Sequence, residues 1–404
     1  MIRNIIATRT NSNYSETMRI VQIHSNYRSW IPSGENITVS ELSKMLIESN
    51  VVTSTILGSS DHLVKSKAKR FKALLSLFTA SSLIESDSTA LMGDEILIIH
   101  NEFPIIPIRL WRKIASSQIK IIRVVHNYRS TCLSGNHWYR ENPCFSCQDK
   151  NFSMGIIRKC YQKSYTASFI RMSYTKISQF YLNKSDVTYV AISERMARYI
   201  SNTFGSDVKI AQIPNSVSDR EMINSDAHQV LFVGRLEQEK GLIEIVKIWK
   251  DFPHLPILNI VGTGNLKKYA DDAAETDSRI LVHGAKNSEE LELIAKKCKV
   301  AVFPTLWREP FGRTMIEALS RGQAVVTTES ANAEFCVIEG VNGYVAAIEN
   351  SDFGNAVAKA LTIPLELHTR SSRSFYQSKY TKQIWKENWI NTINAVRTLG
   401  ETIE

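Results

Sequence analysis

The chain reads as an α/β protein built from two Rossmann-like domains, each a parallel sheet flanked by helices. Three observations carry that reading. Short apolar runs alternate with helical patterns along the chain, the pattern of parallel strands joined by crossover helices. The alternation restarts near Gln229, after a break at Ile213-Pro214-Asn215-Ser216. The length of 404 residues is sufficient for two separate cores. The expected organisation is an extension over 1–17, an N-terminal domain over 18–213, a C-terminal domain over 214–378 and a terminal helix over 379–404 that returns to the first domain.

In the first half, strands are expected at Arg19–His24, Val51–Leu57, Glu95–His100, Lys120–His126 and Thr188–Ile192. Pro32-Ser33-Gly34-Glu35-Asn36 forms a turn that leads into a helix over 37–49. In the second half, strands are expected at 229–234, Leu255–Val261, Ile280–His283, Val300–Phe303 and Ala324–Thr327. Trp385 and Trp389, one helical turn apart, suit a terminal helix that docks on a surface. A ligand is then expected between the halves, outside the carboxyl ends of the strands.

Composition narrows the class. An apolar fraction of 43% and a charged fraction of 22% are those of a soluble globular protein. No apolar run approaches the ~20 residues that span a bilayer, and the first residues lack the pattern of a secretory signal. The chain is therefore expected in the cytoplasm. Its net charge of +9 is concentrated. From Lys150 to Ser185 there are Lys and Arg but no Asp or Glu, interleaved with Tyr165, Phe169 and Phe180. A second basic segment is Lys65-Ser66-Lys67-Ala68-Lys69-Arg70-Phe71-Lys72. Such segments fit a solvated helix face, or attraction to phosphates and an anionic membrane surface. No nucleic-acid-binding signature accompanies them, so nucleic acid is not an expected partner.

The stretch Arg308-Glu309-Pro310-Phe311-Gly312-Arg313-Thr314-Met315-Ile316-Glu317 holds two acids around a helix start. The amides of Gly312, Arg313 and Thr314 would be unpaired there and, with the helix dipole, would take a phosphate. Glu309 and Glu317 could reach one ligand from two sides. Read alone, each acid has a plainer role: Glu317 at a helix N-terminus, Glu309 paired with Arg308 or Arg313. Arg235 and Lys240, in a loop after Gly234, could clamp a diphosphate without a metal. Gly262-Thr263-Gly264 lacks the third glycine of a dinucleotide fingerprint, and neither a Walker lysine motif nor Asp-x-Asp occurs.

Taken together, V-G-R-x4-K-G, G-T-G, H-G and F-P-T-x-W-R-E-P-F-G-R-T-x-I-E-A resemble the retaining glycosyltransferases of family 4, which have the GT-B fold. P-S-G-E-N, V-V-H-N-Y-R and I-P-N-S-V extend the resemblance from Met18 onward. It implies two sheets facing a deep cleft and sugar transfer from a nucleotide-diphosphate sugar to a glycan or lipid-linked acceptor. Retention proceeds by front-face attack assisted by the leaving phosphate, with no cofactor required for catalysis and no protein nucleophile. By position, Glu309 would hold hydroxyls of the donor sugar, supported by Pro310, Phe311, Gly312, Arg313 and Thr314. Glu317 would take the ribose, and Arg235 and Lys240 the diphosphate. Gly34, Gly234, Gly262 and Gly264 would line the donor site, Gly284 and Ala285 would face the base, and His126 would lie beside the sugar. A nucleotide-sugar epimerase and a non-catalytic partner in polysaccharide assembly remain the alternatives.

Cys132, Cys144, Cys147 and Cys160 fall in an insertion-like segment, 128–163, and their spacing is compatible with a structural zinc or with free thiols. Cys298 and Cys336 look like core positions.

Overall fold

The computed structural model describes residues 19–26, 34–49, 52–59, 77–78, 95–333, 336–349 and 351–398. The expected extension and the basic segment at 65–72 lie outside these residues. The chain divides into two compact units. The first holds residues up to Gly135, Phe145–Ile213 and Lys386 onward; the second holds Asn136–Cys144 and Pro214–Trp385.

The first unit is built on a six-stranded parallel sheet of β1 (Arg19–Asn26), β2 (Val52–Ser59), β3 (Ile96–Asn101), β4 (Lys120–Val125), β5 (Val187–Ala191) and β6 (Lys209–Gln212). Its order is β2-β1-β3-β4-β5-β6. Around it run α1 (Gly34–Glu48), α2 (Ile108–Ala115), α3 (Tyr165–Leu182) and α4 (Glu194–Phe204). β3 is buried at every position, which explains its unbroken apolar run: parallel strands covered on both faces do not alternate. Trp111 of α2 is fully buried and its indole N–H donates to Tyr174 Oη of α3 at 3.0 Å, so the large apolar surface is buried with its polar atom satisfied. Ser164 and Ser193 cap α3 and α4 by accepting from Ala167 and Met196 amides.

The second unit has another six-stranded parallel sheet: β7 (Gln229–Val233), β8 (Leu258–Val261), β9 (Ile280–Gly284), β10 (Cys298–Phe303), β11 (Ala324–Thr327) and β12 (Gly343–Val345), ordered β9-β8-β7-β10-β11-β12. Its helices are α5 (Leu242–Asp251), α6 (Lys267–Thr276), α7 (Ser288–Ala295), α8 (Arg313–Ser320), α9 (Asp352–Thr362) and α10 (Leu365–Lys379), followed by α11 (Lys382–Thr398). Phe232, Ile260, Val302 and Val326 of the strands pack with Trp249 of α5 and Phe353 of α9. Each such side chain contributes roughly 1.5–3 kcal/mol when fully buried. Trp385 and Trp389 of α11 are both buried, and in the first unit Lys120 Nζ donates to the Arg397 carbonyl at 2.7 Å.

Some boundaries differ from expectation for physical reasons. The strand expected from Leu255 begins at Leu258, since Pro256 cannot donate to a ladder and its carbonyl instead accepts from the Trp249 indole at 2.8 Å. The helix expected from Ile37 begins one turn earlier, at Gly34, with Glu35 favourably placed in its first turn. The edge strands β6 and β12 were not expected; both are short, and β6 has no buried residue.

Among the described residues, no group of three or more His, Cys, Asp or Glu side chains is placed to hold a metal ion. Cys132 is buried with its Sγ 3.1 Å from Ser134 Oγ. Cys298 and Cys336 are core residues, and burial pushes both thiols up to about 12.

Candidate functional site

In each sheet the strand order reverses between two neighbouring strands, leaving a crevice beyond their carboxyl ends. In the second unit the reversal lies between β7 and β10. A cavity of about 30 Å³ opens there, with Phe232, Val302, Phe303 and Met315 among its apolar lining and Lys240 and Glu309 among its polar lining.

The acids and cations singled out in the sequence meet here in an unforeseen pairing. Glu309 pairs with Lys240, and neither Arg308 nor Arg313 takes that place. The Trp307 indole N–H donates to the same Glu309 oxygen at 3.1 Å, and Lys240 Nζ lies 5.2 Å from the centre of the Trp307 ring. The Glu309 amide donates to the Ser330 carbonyl at 2.8 Å, which anchors the loop. One carboxylate oxygen is thus held by a cation and an indole, while among the described residues no hydrogen bond reaches the other. Arg235 goes elsewhere: its guanidinium donates to Glu239 at 2.9 Å and is half exposed.

Gly312 caps α8 with φ of +83°, a left-handed conformation that glycine adopts without strain. The first intrahelical donors are Met315 and Ile316, both to the Gly312 carbonyl, so the preceding amides point out of the helix start. Thr314 lines the cavity at this end. Glu317, one turn on, is buried and accepts from Arg220 Nη2 at 3.0 Å. Arg220 also reaches Glu292 at 3.4 Å, which in turn takes Arg321 at 2.7 Å. Arg220 and Trp307 were missed in the sequence. Arg220 has no motif around it, whereas Trp307 stands two residues before the acid it serves.

The glycines separate into two kinds. A Cβ on Gly262 would lie 1.8 Å from the Gly234 carbonyl oxygen, and one on Gly264 2.4 Å from that of Leu236. These two are demanded by backbone packing within the unit. Gly234 and Gly284 instead face open space, with nothing within 4 Å of a Cβ. Next to Gly284, His283 Nε2 lies 2.9 Å from Asn259 Oδ1.

The first unit reverses between β1 and β3, and its crevice is lined by histidines. His24 lies two residues before the end of β1, His100 one residue before the end of β3, and His126 follows β4; all three are buried. His100 Nδ1 lies 2.9 Å from His126 Nε2, with the rings stacked 5.2 Å apart, and His100 Nε2 lies 2.9 Å from Gln22 Nε2. Glu35 of α1 sits 3.8 Å from both His24 Nδ1 and Arg129 Nη1. Burial lowers His126 to about 4, with Glu35 opposing and His24, Arg123 and Arg129 adding to the fall. Burial, His126, His24 and Arg123 hold His100 well below its ordinary range. Burial alone would raise Glu35, yet Arg129, His126, His24 and Arg123 leave it below the usual carboxylate value. Only His126 of this cluster was expected. The positions of His24 and His100 near their strand ends were visible in the sequence and would have found the other two.

Residues 216–377 match the glycosyl transferases group 1 family. A phosphatidyl-myo-inositol mannosyltransferase of Mycolicibacterium smegmatis is 24% identical over 227 residues, 53% of this chain and 57% of that protein. The chain spans between about a third and three fifths of the length of the first curated relatives it matches. Among solved structures, sucrose-phosphate synthase from Thermosynechococcus elongatus superposes with a TM-score of 0.66 at 15% identity, covering 95% of this chain and 99% of that one. An Anabaena protein solved with UDP-glucose gives a TM-score of 0.63 at 14% identity, covering 94% of this chain and 100% of that one. These likenesses show the fold, two α/β domains of the GT-B type. Through residues 216–377, the chain is similar to the glycosyl transferases group 1.

Proposed function

We propose that the chain transfers a sugar, with retention, from a nucleoside-diphosphate sugar to a hydroxyl of a glycan or lipid-linked acceptor, in the assembly of cell-surface polysaccharide or lipopolysaccharide. The observation that carries this reading is the Lys240–Glu309 pair beside the start of α8. A helix start and a lysine suit a diphosphate, which gains charge as it leaves. A carboxylate with a free oxygen suits sugar hydroxyls. In this reading Lys240 turns from Glu309 to the diphosphate when the donor binds, Arg235 joins it, and Glu309 takes the sugar. Glu317 accepts from the ribose hydroxyls and is held in place by Arg220. His126 stands beside the sugar, and the cations replace a metal at the leaving group.

A thermal-shift screen against UDP-, GDP-, ADP- and dTDP-sugars tests the donor, since a ligand at one hundred times its Kd adds about 2.7 kcal/mol of stability. One nucleotide class is expected to stabilise the chain, and Glu309→Ala to abolish transfer while the fold persists. Wild-type turnover by Glu309→Ala, or epimerised donor as the product without an acceptor, sinks the transferase reading.

A lipid-linked acceptor at an anionic membrane surface is supported by α3 and the loops around it. Tyr165, Phe169 and Phe180 are each more than half exposed, with Lys159 Nζ 4.4 Å over the Tyr165 ring and Lys184 Nζ 4.3 Å over that of Phe180. Amphipathic aromatics beside lysines suit a headgroup layer. Among the described residues no helix is long and apolar enough to cross a membrane. Co-sedimentation with liposomes should rise with anionic lipid and fall with salt. Equal binding to neutral vesicles, or none at low salt, refutes the surface.

A further inference from the structure

The strand-end cluster of the first unit fixes more than the position of His126. Gln22 is fully buried, and its side-chain nitrogen lies 3.1 Å from the Val39 carbonyl of α1. A carbonyl oxygen only accepts, so the atom facing it is the NH2 and the amide has one orientation. Ser43 Oγ donates to the other end of the amide, Oε1, at 2.7 Å. The second N–H of Gln22 then points at His100 Nε2, 2.9 Å away. That nitrogen must accept. In a neutral ring the proton therefore sits on Nδ1, which donates to His126 Nε2 at 2.9 Å. The same logic passes one ring further. His126 Nε2 accepts, so its own proton sits on Nδ1, and among the described residues nothing accepts from that N–H. Burial and the neighbouring Arg123 cation oppose the imidazolium at both rings, which is what the chain of single donors requires.

We propose that Gln22 and His100 are positioning residues that lock His126 into its Nδ1–H form, so that it presents a fixed hydrogen-bond donor to an oxygen of the bound sugar and takes no proton from the acceptor. The part played by the sugar rests on the transferase reading above; the locked tautomer does not. The ligand group selected is an oxygen with a lone pair, a hydroxyl or a phosphoryl oxygen. With no lone pair facing the substrate, His126 cannot serve as a general base. The proton of the attacking hydroxyl then has to leave with the departing phosphate, as retention by front-face attack requires.

The test is long-range proton–nitrogen NMR on the full chain labelled with 15N-histidine, with signals assigned through His126→Asn and His100→Gln. At pH 7 both rings of the wild type should show a pyrrole-type Nδ1 and a pyridine-type Nε2. Gln22→Met removes the first donor, so His126 should become a mixture of tautomers. Its kcat should fall about tenfold, the value of one hydrogen bond, with KM for the donor little changed. His100→Gln keeps an amide N–H within reach of His126 Nε2 and should restore the single His126 tautomer. A protonated Nε2 on His126 in the wild type overturns the proposal. So does Gln22→Met with unchanged ring signals and unchanged kcat. Ring signals as expected in a wild-type chain that transfers no sugar overturn the transferase reading instead.

Discussion

The two sheets place polar groups at the same topological position, the crevice where strand order reverses, yet they fill it with opposite chemistry. At the second unit's crevice the groups are charged and only partly buried: Lys240 and Glu309 retain 21% and 18% of their side-chain exposure. At the first unit's crevice they are neutral rings in full burial, joined in a single file from Gln22 to His126. A charged pair within reach of water can exchange partners when a ligand arrives, because water and the ligand's own charges can satisfy each group as it lets go. A buried neutral chain cannot. Each member left unpaired would cost the desolvation of a polar group, roughly 1–3 kcal/mol. The first arrangement suits groups that must let go of each other; the second suits a group that must hold one orientation.

The largest effect separating the two is expected from a double-mutant cycle at Lys240 and Glu309. Each of Lys240→Ala and Glu309→Ala should lower kcat/KM by about two to three orders of magnitude, the usual loss when a preorganised electrostatic group is removed. Folding stability should change by no more than ~1 kcal/mol in either. The double variant should lose less than about tenfold beyond the worse single one, since the two side chains act on one another as well as on the donor. Multiplying losses would show two independent groups. The contrast drawn here would then fail, because the pair would be no more able to re-partner than the histidine file.

The same contrast explains what the sequence disclosed. The second unit's site is written in one contiguous stretch, Trp307 to Glu317, plus one loop, Arg235 to Lys240, so local motifs reveal it. Even there the pairing of Lys240 with Glu309 was hidden, since it depends on how β7 and β10 lie side by side. The first unit's cluster draws Gln22 and His100 from two strands, Glu35 from a helix and His126 from just beyond a third strand. Nothing within any one segment shows that these residues touch. Strands β3, β7 and β11 were legible because burial on both faces leaves an apolar run. The edge strands β6 and β12 and the partner Arg220 carry no such pattern, and packing alone explains their places.

A smaller effect follows from pH. His126 has its folded value lowered from 6.5 to about 4, and His100 moves in the same direction. A depressed histidine value means that the unfolded chain takes up the proton first. The stabilisation from neutral His126 is therefore complete above pH 6.5 and drains away as pH falls towards 4. The full difference, 6.5 − 4 = 2.5 units, is worth on the order of 3 kcal/mol. Burial drives this fall; Arg123 and Arg129 face the ring as cations and deepen it, while Glu35 opposes it. Nothing comparable is expected where β7 and β10 end, since no histidine lines the cavity there. Amide exchange, corrected for its intrinsic pH dependence, should thus show protection at the carboxyl ends of β3 and β4 falling between pH 7 and pH 5 ahead of that at β7 and β10. His100→Gln, which removes one titrating ring and relieves His126 of a neighbour, should flatten the difference. Equal loss at both crevices would mean that the histidines are reached by water and protonated without opening. In that case the first crevice is no more rigid than the second.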